Sequence, residues 1–478
     1  MAVTDLHERY ASVVGEERVI THPEALAEYA GDMTENPEGR ADLVLKPTSA
    51  EQVQQIVRMA AEEKVPVTPA VARMNVGGLA IPERGGIVVD MSDMKRVIEL
   101  DRTHMYALIE PGVTFAQLTE VLKEQAPELT VSYPLAPPDT SVVANFLMDG
   151  LGNLSLLHGG AGEQIGGAEW VLPDGTLVKT GACAVSPVWF SRSPLPDLTG
   201  LLVNWQGSTG VVTKMAVQLW PMPALTRRLF VFSERLGGSW DLIRELTRAE
   251  LCRDMSGISW PTAKMLFGVD KPLHNDPGEP ELFISMDIGG RDEEEVGYRE
   301  RIAREIVASH QKRGLPVGAI LSIDELIDVA PTLSRFAEFP MTLDFLLDHP
   351  GRGLTWIGTY GPTASWDEGA ERCAELMRER GFPPLLVTRP MKGGHFGVLR
   401  MISLFDKSDP DEVRRVGELN RDLLDICLEL GFVPYKAPGW AVEHMRERTD
   451  DGYAELLTRV KDCLDPDGIM NPGRWPVR

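Results

Sequence analysis

Apolar residues recur at helical spacing soon after Ser49, and the start of this stretch is well marked. Ser49 and Gln52 have the form of a capping box, in which side chains bind the free backbone groups at the start of a helix. The apolar positions that follow fit one helix face, and they are Val53, Ile56, Val57 and Ala60. We therefore predict a helix over about 50–63.

Two short β-branched runs follow this helix, at 65–67 and 87–89, and both are typical of buried strands. The loop between them, TPAVARMNVGGLAIP at 68–82, carries paired glycines but no lysine and no acid. The predicted order is helix, strand, loop, strand.

Residues 105–110 alternate like a strand and end at Pro111 and Gly112, after which Thr114 and Gln117 form a second capping box. A strand-to-helix turn is expected there. Glycine-rich sequence with short strands continues to about Pro223. The predicted strands are 169–172 and 177–179, joined as a hairpin by Pro173-Asp174-Gly175, and 211–217.

The pattern changes after Pro221-Met222-Pro223, where longer amphipathic segments begin. Helices are predicted over 293–312 and 411–430, and a strand over 281–286. This change of pattern predicts a domain boundary at residues 222/223.

Composition narrows the function classes. The chain has 478 residues, and because single cores stop growing at roughly 250–300 residues, we expect at least two domains. Its formal net charge of −23 gives no basic surface for nucleic acid or anionic membranes. No apolar run is long enough for membrane insertion, and the start lacks the pattern of a signal peptide, so we expect a cytoplasmic protein.

The five cysteines are scattered and form no C-x-x-C pair. Zinc, an iron–sulfur cluster and a redox dithiol are therefore not indicated. Any further electron acceptor must come from outside this chain.

Several glycine-containing turns could gather backbone N–H groups around an anion, although each alone could also be only a turn. They lie at 73–78, 111–114, 140–152 and 207–210. Neither a Rossmann fingerprint nor a Walker A motif is present, which disfavours nicotinamide and P-loop enzymes.

The order of these motifs resembles the vanillyl-alcohol oxidase/p-cresol methylhydroxylase superfamily, with features of both its 4-cresol dehydrogenase and its glycolate/D-lactate dehydrogenase branches. The motifs that carry the resemblance are LKPT at 45–48, GGIVVDM at 85–91, EPGVT at 110–114, SVVAN at 141–145, EWVLPDG at 169–175, GSTGVVTK at 207–214 and LDPDGIMNPGRW at 464–475.

The resemblance implies an α+β fold in three parts. A two-lobed p-cresol methylhydroxylase-type (PCMH-type) FAD-binding domain would cover residues 1–222. An α+β cap domain carrying an antiparallel sheet would cover 223–430, and residues 431–478 would return to the FAD-binding domain.

The resemblance also implies FAD as cofactor, with its pyrophosphate on the 73–78 turn and its ring beneath the cap. The residues that match cofactor-binding positions are Pro69, Arg73, Met74, Asn75, Val76, Gly77, Gly78, Pro111, Gly112, Thr140, Ser141, Asn145, Gly150, Gly152, Asn153, Gly210, Val211, Val212 and Asn471.

The first loop departs from the family, because side chains at 70–73 replace glycines that normally let the backbone approach an anion. We expect either another loop path, with Arg73 compensating by its charge, or weak FAD binding. The loop contains no histidine, and Leu399 lies nearest the cap attachment position, so we expect FAD to be non-covalent.

Tyr435 and Lys436 fall where phenol-oxidising relatives have a Tyr-Arg pair that binds phenolate. Lysine keeps the charge but lacks the bidentate fork of arginine, and a surface pair after a helix end is the alternative. His395 is a second candidate, as a base for the hydroxyl proton, or else a structural histidine. Arg400 or Arg389 would then pair with a substrate anion.

No metal is expected, because His395 lacks the second histidine found in hydroxy-acid-oxidising relatives. His158 remains a secondary candidate, because its stretch should run close to the flavin ring.

The sequence thus predicts a dehydrogenase or oxidase that transfers a hydride from a small hydroxylated substrate to flavin N5. An aromatic alcohol or 4-alkylphenol is favoured over a 2-hydroxy acid. A flavin-binding electron-transfer subunit or a non-catalytic scaffold is the alternative from another class. Expected partners are a second copy of the chain, as a homodimer, and an external acceptor, either oxygen, a soluble acceptor, or a cytochrome or iron–sulfur subunit.

Overall fold

The structure is a computed structural model, and it describes residues 3–74, 76–337 and 343–476. Its first lobe contains a small sheet in the order β1-β2-β4-β3, with β4 parallel to both β2 and β3. The elements are α1 (Val3–Val14), β1 (Val19–Ile20), α2 (Pro23–Ala30), β2 (Leu43–Leu45), α3 (Ala50–Glu63), β3 (Val67–Ala70) and β4 (Ile87–Asp90).

The helix predicted over 50–63 is confirmed with those bounds. The Ser49 side chain accepts from the backbone of Gln52, and the apolar stripe of α3 is fully buried against the sheet. The N-cap and the apolar face both indicate the same helix, so the local sequence is sufficient to predict it.

The second lobe is built on an antiparallel sheet in the order β5-β6-β10-β8-β9. Thr114 caps α4 as predicted, and β8 and β9 form the predicted hairpin. The elements are β5 (Val97–Asp101), β6 (Tyr106–Ile109), α4 (Phe115–Gln125), β7 (Leu129–Thr130), α5 (Val142–Leu147), α6 (Ser155–His158), β8 (Ile165–Val171), β9 (Leu177–Gly181), β10 (Val211–Gln218) and β11 (Trp220–Pro221).

We call residues 223–430 the cap. Its described strands form an antiparallel sheet in the order β15-β12-β14-β13-β17-β18-β16, as predicted. The elements are β12 (Leu225–Ser233), α7 (Ser239–Arg248), β13 (Asp254–Ser259), α8 (Trp260–Leu266), β14 (Leu282–Gly290), α9 (Glu293–Lys312), β15 (Leu321–Ser322), α10 (Ile323–Val329), β16 (Arg352–Gly361), α11 (Trp366–Glu379), β17 (Leu385–Met391), β18 (Phe396–Asp406) and α12 (Pro410–Glu429).

The two faces of the cap sheet have different partners. Leu399 and Met401 of β18 face a core shared with α7, α9, α11 and α12. Because side chains alternate along a strand, the neighbouring Ile402 and Leu404 lie in another core, which includes Val76 and Leu135 of the two lobes. The cap therefore turns one sheet face toward those lobes.

The C-terminal segment first joins the cap sheet and then reaches the first lobe. It contains β19 (Val433–Pro434), α13 (Gly439–Met445) and α14 (Asp451–Leu464). Strand β19 pairs with β16, and Asn471 donates its backbone N–H to Val67 of β3 over 2.8 Å. The α+β fold is confirmed, whereas the divisions at 222/223 and 430/431 stay predictions.

None of the helices in the described ranges is long and apolar enough to cross a membrane.

Candidate active site

A cavity lies between the two lobes. Loops that follow β3 and precede α5 and β10 supply most of its wall. The predicted cofactor-binding residues that line it are Pro69, Met74, Pro111, Thr140, Ser141, Asn145, Gly210, Val211 and Val212.

Other predicted cofactor-binding residues do not line this cavity, and Asn75 lies outside the described residues. Several of them have structural contacts instead. Asn153, for example, accepts a hydrogen bond from the backbone of Tyr133 over 2.9 Å. The residues away from the wall are Arg73, Val76, Gly77, Gly78, Gly112, Gly150, Gly152, Asn153 and Asn471.

The first loop takes a path that the family pattern does not supply. Positive φ angles fall on Ala72, Arg73 and Gly78 rather than on Val71, where a β-branched side chain would be most strained. Arg73 donates to the Glu28 carbonyl and stacks 4.1 Å from the centre of the Tyr29 ring. In this structure its guanidinium is therefore engaged by α2, and compensation for the missing glycines by its charge stays a prediction.

The C-terminal segment holds this loop in place. Arg474 is buried and donates to the carbonyls of Gly78 and Ile81, at 2.6 and 3.2 Å, and it pairs with Glu83. Asn471 donates to the carbonyls of Leu79 and Gln206. Asn471 thus positions the loop instead of lining the cavity.

A second cavity lies between the first cavity and the cap sheet. Met74, Asn145 and Lys436 line both cavities, so the two adjoin. The second has mostly aliphatic walls, from Met33, Val76, Leu135, Leu151, Leu343, Leu346, Leu347, Leu354 and Ile402, with Trp356, Arg400 and Lys436 at its polar part.

Tyr435, Arg400 and Lys436 form one cluster, in which Arg400 and Lys436 line the second cavity. Tyr435 lies beside them and lines a neighbouring cavity that Lys436 also lines. Arg400 on β18 donates to the Tyr435 hydroxyl, and its guanidinium lies 4.5 Å from the centre of the Trp356 ring. The Lys436 ammonium lies 5.7 Å from the same ring centre. The structure thus brings together three of the four residues predicted to be catalytic.

Burial shifts the proton affinities within this cluster. Lys436 keeps some accessible surface on the cavity walls. Its removal from bulk water, reinforced by Arg400, lowers its pKa to about 7, with Asp149 opposing that shift. Burial raises the pKa of Tyr435 although Arg400 counteracts it, so the phenol stays protonated at neutral pH. Lys436 is therefore the group in this cluster that titrates near neutrality.

Tyr360, which the sequence reasoning missed, fixes the position of Tyr435. The two rings stack with centroids 4.6 Å apart and an interplanar angle of 16°. Tyr360 also donates to the Asp149 carbonyl over 2.6 Å, and a Cβ on Gly358 would lie 2.9 Å from the Tyr435 ring. Only the pairing of β16 with β18 and β19 brings these residues together, so no local sequence signal was available.

His395 is not part of this cluster. It is exposed at the turn between β17 and β18, and it lines neither cavity. A catalytic role for His395 therefore has no geometric support.

His158 and Arg389 also lie elsewhere. His158 stacks on Trp220 with ring centroids 3.3 Å apart, and burial lowers its pKa to about 4. Arg389 is buried and bonded to Asp254 and the Gly152 carbonyl. The described residues hold no metal-binding group of three or more His, Cys, Asp or Glu.

The first cavity has the unpaired polar groups that a bound FAD needs. Thr140 Oγ1, Asn145 Nδ2 and Gln206 Oε1 are buried without a hydrogen-bond partner anywhere in the described ranges, and all three residues line it. Buried polar groups in native proteins are normally satisfied, so these atoms fit a polar ligand. Gln206 was missed by the sequence reasoning, although it directly precedes the predicted 207–210 turn.

Comparisons with known proteins define the class. A family model described as FAD binding domain matches residues 41–181, and one described as FAD linked oxidases, C-terminal domain, matches 323–475. The protein is therefore an FAD-linked oxidoreductase.

Two relatives of this class match the chain over nearly its full length. The flavoprotein subunit of 4-cresol dehydrogenase (hydroxylating) from Pseudomonas putida is 23% identical, with 98% of this chain and 94% of that protein aligned. A glycolate oxidase subunit of Bacillus subtilis is 24% identical, with 99% and 97% aligned.

A solved structure of substrate-bound p-cresol methylhydroxylase superposes with a TM-score of 0.88, at 20% identity, over 99% of this chain and 96% of that one. The chain is thus an FAD-linked oxidoreductase with the fold of p-cresol methylhydroxylase, and it is similar to both cresol-oxidising and glycolate-oxidising flavoproteins.

Proposed function

We propose that this enzyme oxidises a small phenolic substrate, of the 4-alkylphenol or aromatic alcohol type. The observation that carries the proposal is the Tyr435–Arg400–Lys436 cluster, in which Arg400 and Lys436 line an apolar cavity that adjoins the cofactor cavity and Arg400 donates to the Tyr435 hydroxyl. The names of the Pseudomonas putida relative and of the superposed structure, which both refer to cresol, support the same substrate type.

Each of the three side chains has its own role at the phenolic oxygen of the substrate. Arg400 donates to the Tyr435 oxygen, which leaves the tyrosine O–H free to donate to the substrate. The Nε of Arg400 is buried and has no hydrogen-bond partner in the part of the chain that the structure describes, so it is a further donor. Together these groups stabilise a phenolate, because charge-assisted hydrogen bonds are stronger than neutral ones.

Lys436 takes up the phenolic proton in this proposal. With a pKa of about 7, a large fraction of its amine is neutral and able to accept a proton at physiological pH. The ammonium that forms then pairs with the phenolate. The apolar walls hold the rest of the substrate and exclude water from it.

Bound FAD supplies the hydride acceptor in this family. Thr140, Asn145 and Gln206 are the side chains with free polar groups to hold it. We infer that FAD is non-covalent, since loop 68–82 has no histidine and Leu399 is buried in the core on the helix-covered face of the cap sheet.

Oxidation of a 2-hydroxy acid is the second candidate. The observation in its favour is the pair of cations, Arg400 and Lys436, which could hold a carboxylate, together with the glycolate oxidase relative. The mostly aliphatic cavity wall favours the phenol. A non-catalytic scaffold is not favoured, because the chain belongs to an enzyme family.

Electrons would pass to an external acceptor, either oxygen, a soluble compound or a separate protein. The Pseudomonas putida relative is named as a flavoprotein subunit, which supports an acceptor on another chain, such as a cytochrome or an iron–sulfur protein. We also propose that the protein forms a homodimer and is located in the cytoplasm.

The test is anaerobic titration of the FAD-loaded protein with two substrate panels, followed by loss of the visible flavin absorbance. We expect 4-ethylphenol or vanillyl alcohol to bleach the flavin and glycolate and D-lactate to leave it oxidised. Bleaching by the hydroxy acids alone would establish the second candidate. A flavin that no member of either panel reduces would contradict both.

A further inference from the structure

Residues 31–36 cross from the first lobe to the cap directly behind the second cavity. The Met33 carbonyl accepts from the backbone of Leu354 on β16 over 3.0 Å, and both residues line that cavity. Two residues further on, Glu35 reaches α12, where its carboxylate accepts from Asn420 Nδ2 over 2.7 Å. This segment therefore connects the FAD-binding lobes with the cap.

Thr355 of β16 interacts with the same carboxylate and favours its charged form. Ser403 is directly opposite Thr355 on β18, and directly opposed residues of antiparallel strands share one sheet face. Asp32 interacts electrostatically with Glu35 from the same loop. We call Asp32, Glu35, Thr355, Ser403 and Asn420 the oxygen cluster.

Four acceptor atoms of the oxygen cluster are buried without a hydrogen-bond partner among the described residues. They are Asp32 Oδ2, Glu35 Oε2, Ser403 Oγ and Asn420 Oδ1. Ser403 and Asn420 are completely buried. Buried polar atoms in native proteins normally have a hydrogen-bond partner, so four unpaired oxygens on these neighbouring residues indicate a missing one.

The chemistry of the cluster identifies the class of that partner. Each unpaired atom is an oxygen, and two of them belong to the carboxylates of Asp32 and Glu35. Hard cations prefer such oxygen ligands, and Ca²⁺ accepts irregular sets of carboxylate, carbonyl and other oxygens, whereas Mg²⁺ demands octahedral geometry and retains water.

We propose that the oxygen cluster binds one hard cation of the Ca²⁺ type, which fastens segment 31–36 to the cap. The cation would replace the water that the carboxylates lose on burial. Without it, burial raises the pKa of Glu35. Because Met33 and Leu354 line the second cavity, the same ion would also stiffen that wall.

The first test compares thermal unfolding of the FAD-loaded, chelator-treated protein with and without CaCl₂, at matched ionic strength. Since a ligand that binds only the folded state raises the unfolding temperature, we expect an increase of at least about 2 °C. MgCl₂ should give a smaller increase, and extra NaCl should give none.

Two glutamine variants give this comparison a matched control. Glu35→Gln removes one carboxylate at constant size and should abolish the calcium effect, whereas Glu38→Gln, at an exposed residue of the same loop, should retain it. A wild type that is insensitive to Ca²⁺ while Glu35→Gln unfolds at a higher temperature would show that Glu35 holds a proton, and would overturn the proposal.

A direct binding measurement covers the case in which Glu35→Gln does not fold. Equilibrium dialysis of the wild type against ⁴⁵Ca²⁺ should give one bound ion per chain, and Ser403→Ala should weaken that binding. No bound calcium in the wild type, or unchanged binding in Ser403→Ala, would overturn the site.

Discussion

At the scale of single residues, the Tyr435 hydroxyl is the most informative group to remove. Tyr435→Phe keeps the ring that stacks on Tyr360 and deletes the hydroxyl, which is the proposed donor to the substrate oxygen and the acceptor of the Arg400 hydrogen bond. We expect flavin reduction by 4-ethylphenol to slow by about ten- to ten-thousand-fold, as for loss of one charge-stabilising or proton-handling group. Tyr453→Phe, at an exposed tyrosine, is the control in stopped-flow reduction and should match the wild type.

Lys436 predicts a pH dependence of binding. Because its pKa is lowered to about 7, the amine is increasingly neutral above that pH and protonated below it. A neutral phenol that must give up its proton to Lys436 should therefore bind about tenfold more weakly per pH unit below about 7. The ligand 4-tert-butylphenol has no benzylic hydrogen, so spectral titration of the oxidised flavin with it isolates binding.

Arg400, Asp149 and Tyr435 are the charged or titratable groups that interact with Lys436. Lys436→Met retains all three while removing the amine, and should show no inflection near pH 7 in the same titration. An inflection that persists in Lys436→Met would assign the titration to another group.

Some residues of the candidate site could be predicted from the sequence and others could not. Tyr435 and Lys436 were predicted from the position of a Tyr-Arg pair in phenol-oxidising relatives, and Arg400 from the stretch around His395; the structure brings the three together. Tyr360 has no local signal, since its position depends on pairing between distant strands, whereas Gln206 directly precedes the predicted 207–210 turn. His395 resembled a catalytic residue by its glycine-flanked position, but that position is an exposed hairpin turn.

At the scale of elements, the lack of a side chain at Gly358 on β16 leaves room for the Tyr435 ring. An alanine there would put its Cβ 2.9 Å from the Tyr435 ring, which forces the ring or strand to move. We expect Gly358→Ala to destabilise the protein by about 1–3 kcal/mol and to slow flavin reduction. Gly297→Ala lies within α9, where the new Cβ meets nothing within 4 Å.

Gly297→Ala should stabilise α9 by up to about 1 kcal/mol without changing the rate. Denaturant unfolding and stopped-flow reduction measure the two effects. Equal rates in Gly358→Ala and the wild type would show that the position of the Tyr435 ring does not affect flavin reduction.

Elements with consistent local signals were predicted best. Helix α3 has a cap and an apolar stripe in phase, and its bounds agree with the prediction. The helix α9 also has the predicted bounds. The short strand β19 has little local signal, because its two residues are defined by pairing with β16.

At the scale of the whole molecule, the chain uses its C-terminal segment to shape the cofactor site. Arg474 holds the carbonyls of the first loop from more than 390 residues away in sequence. We expect Arg474→Gln to weaken FAD binding at least tenfold, since a loop that lines the cavity loses its buried anchor. Arg459→Gln, at an exposed arginine on α14, is the control for fluorescence titration of the apoprotein with FAD.

Unchanged affinity in Arg474→Gln would show that the loop is held by its other contacts. Such long-range anchoring explains why the path of the first loop could not be predicted. The sequence shows that the glycines are missing. The contact of Arg73 with the Tyr29 ring and the hydrogen bond from Arg474 to the Gly78 carbonyl form only in the folded chain.

The ionisation state of a bound phenol tests the central claim most directly. Binding of 4-hydroxybenzaldehyde should give the absorbance spectrum of its phenolate even at a pH where the free compound is protonated, because Tyr435, Arg400 and Lys436 favour the anion. The same spectrum in Lys436→Met should shift toward the neutral phenol. A neutral-phenol spectrum in the wild type, or no binding at all, would contradict the proposed role of this cluster.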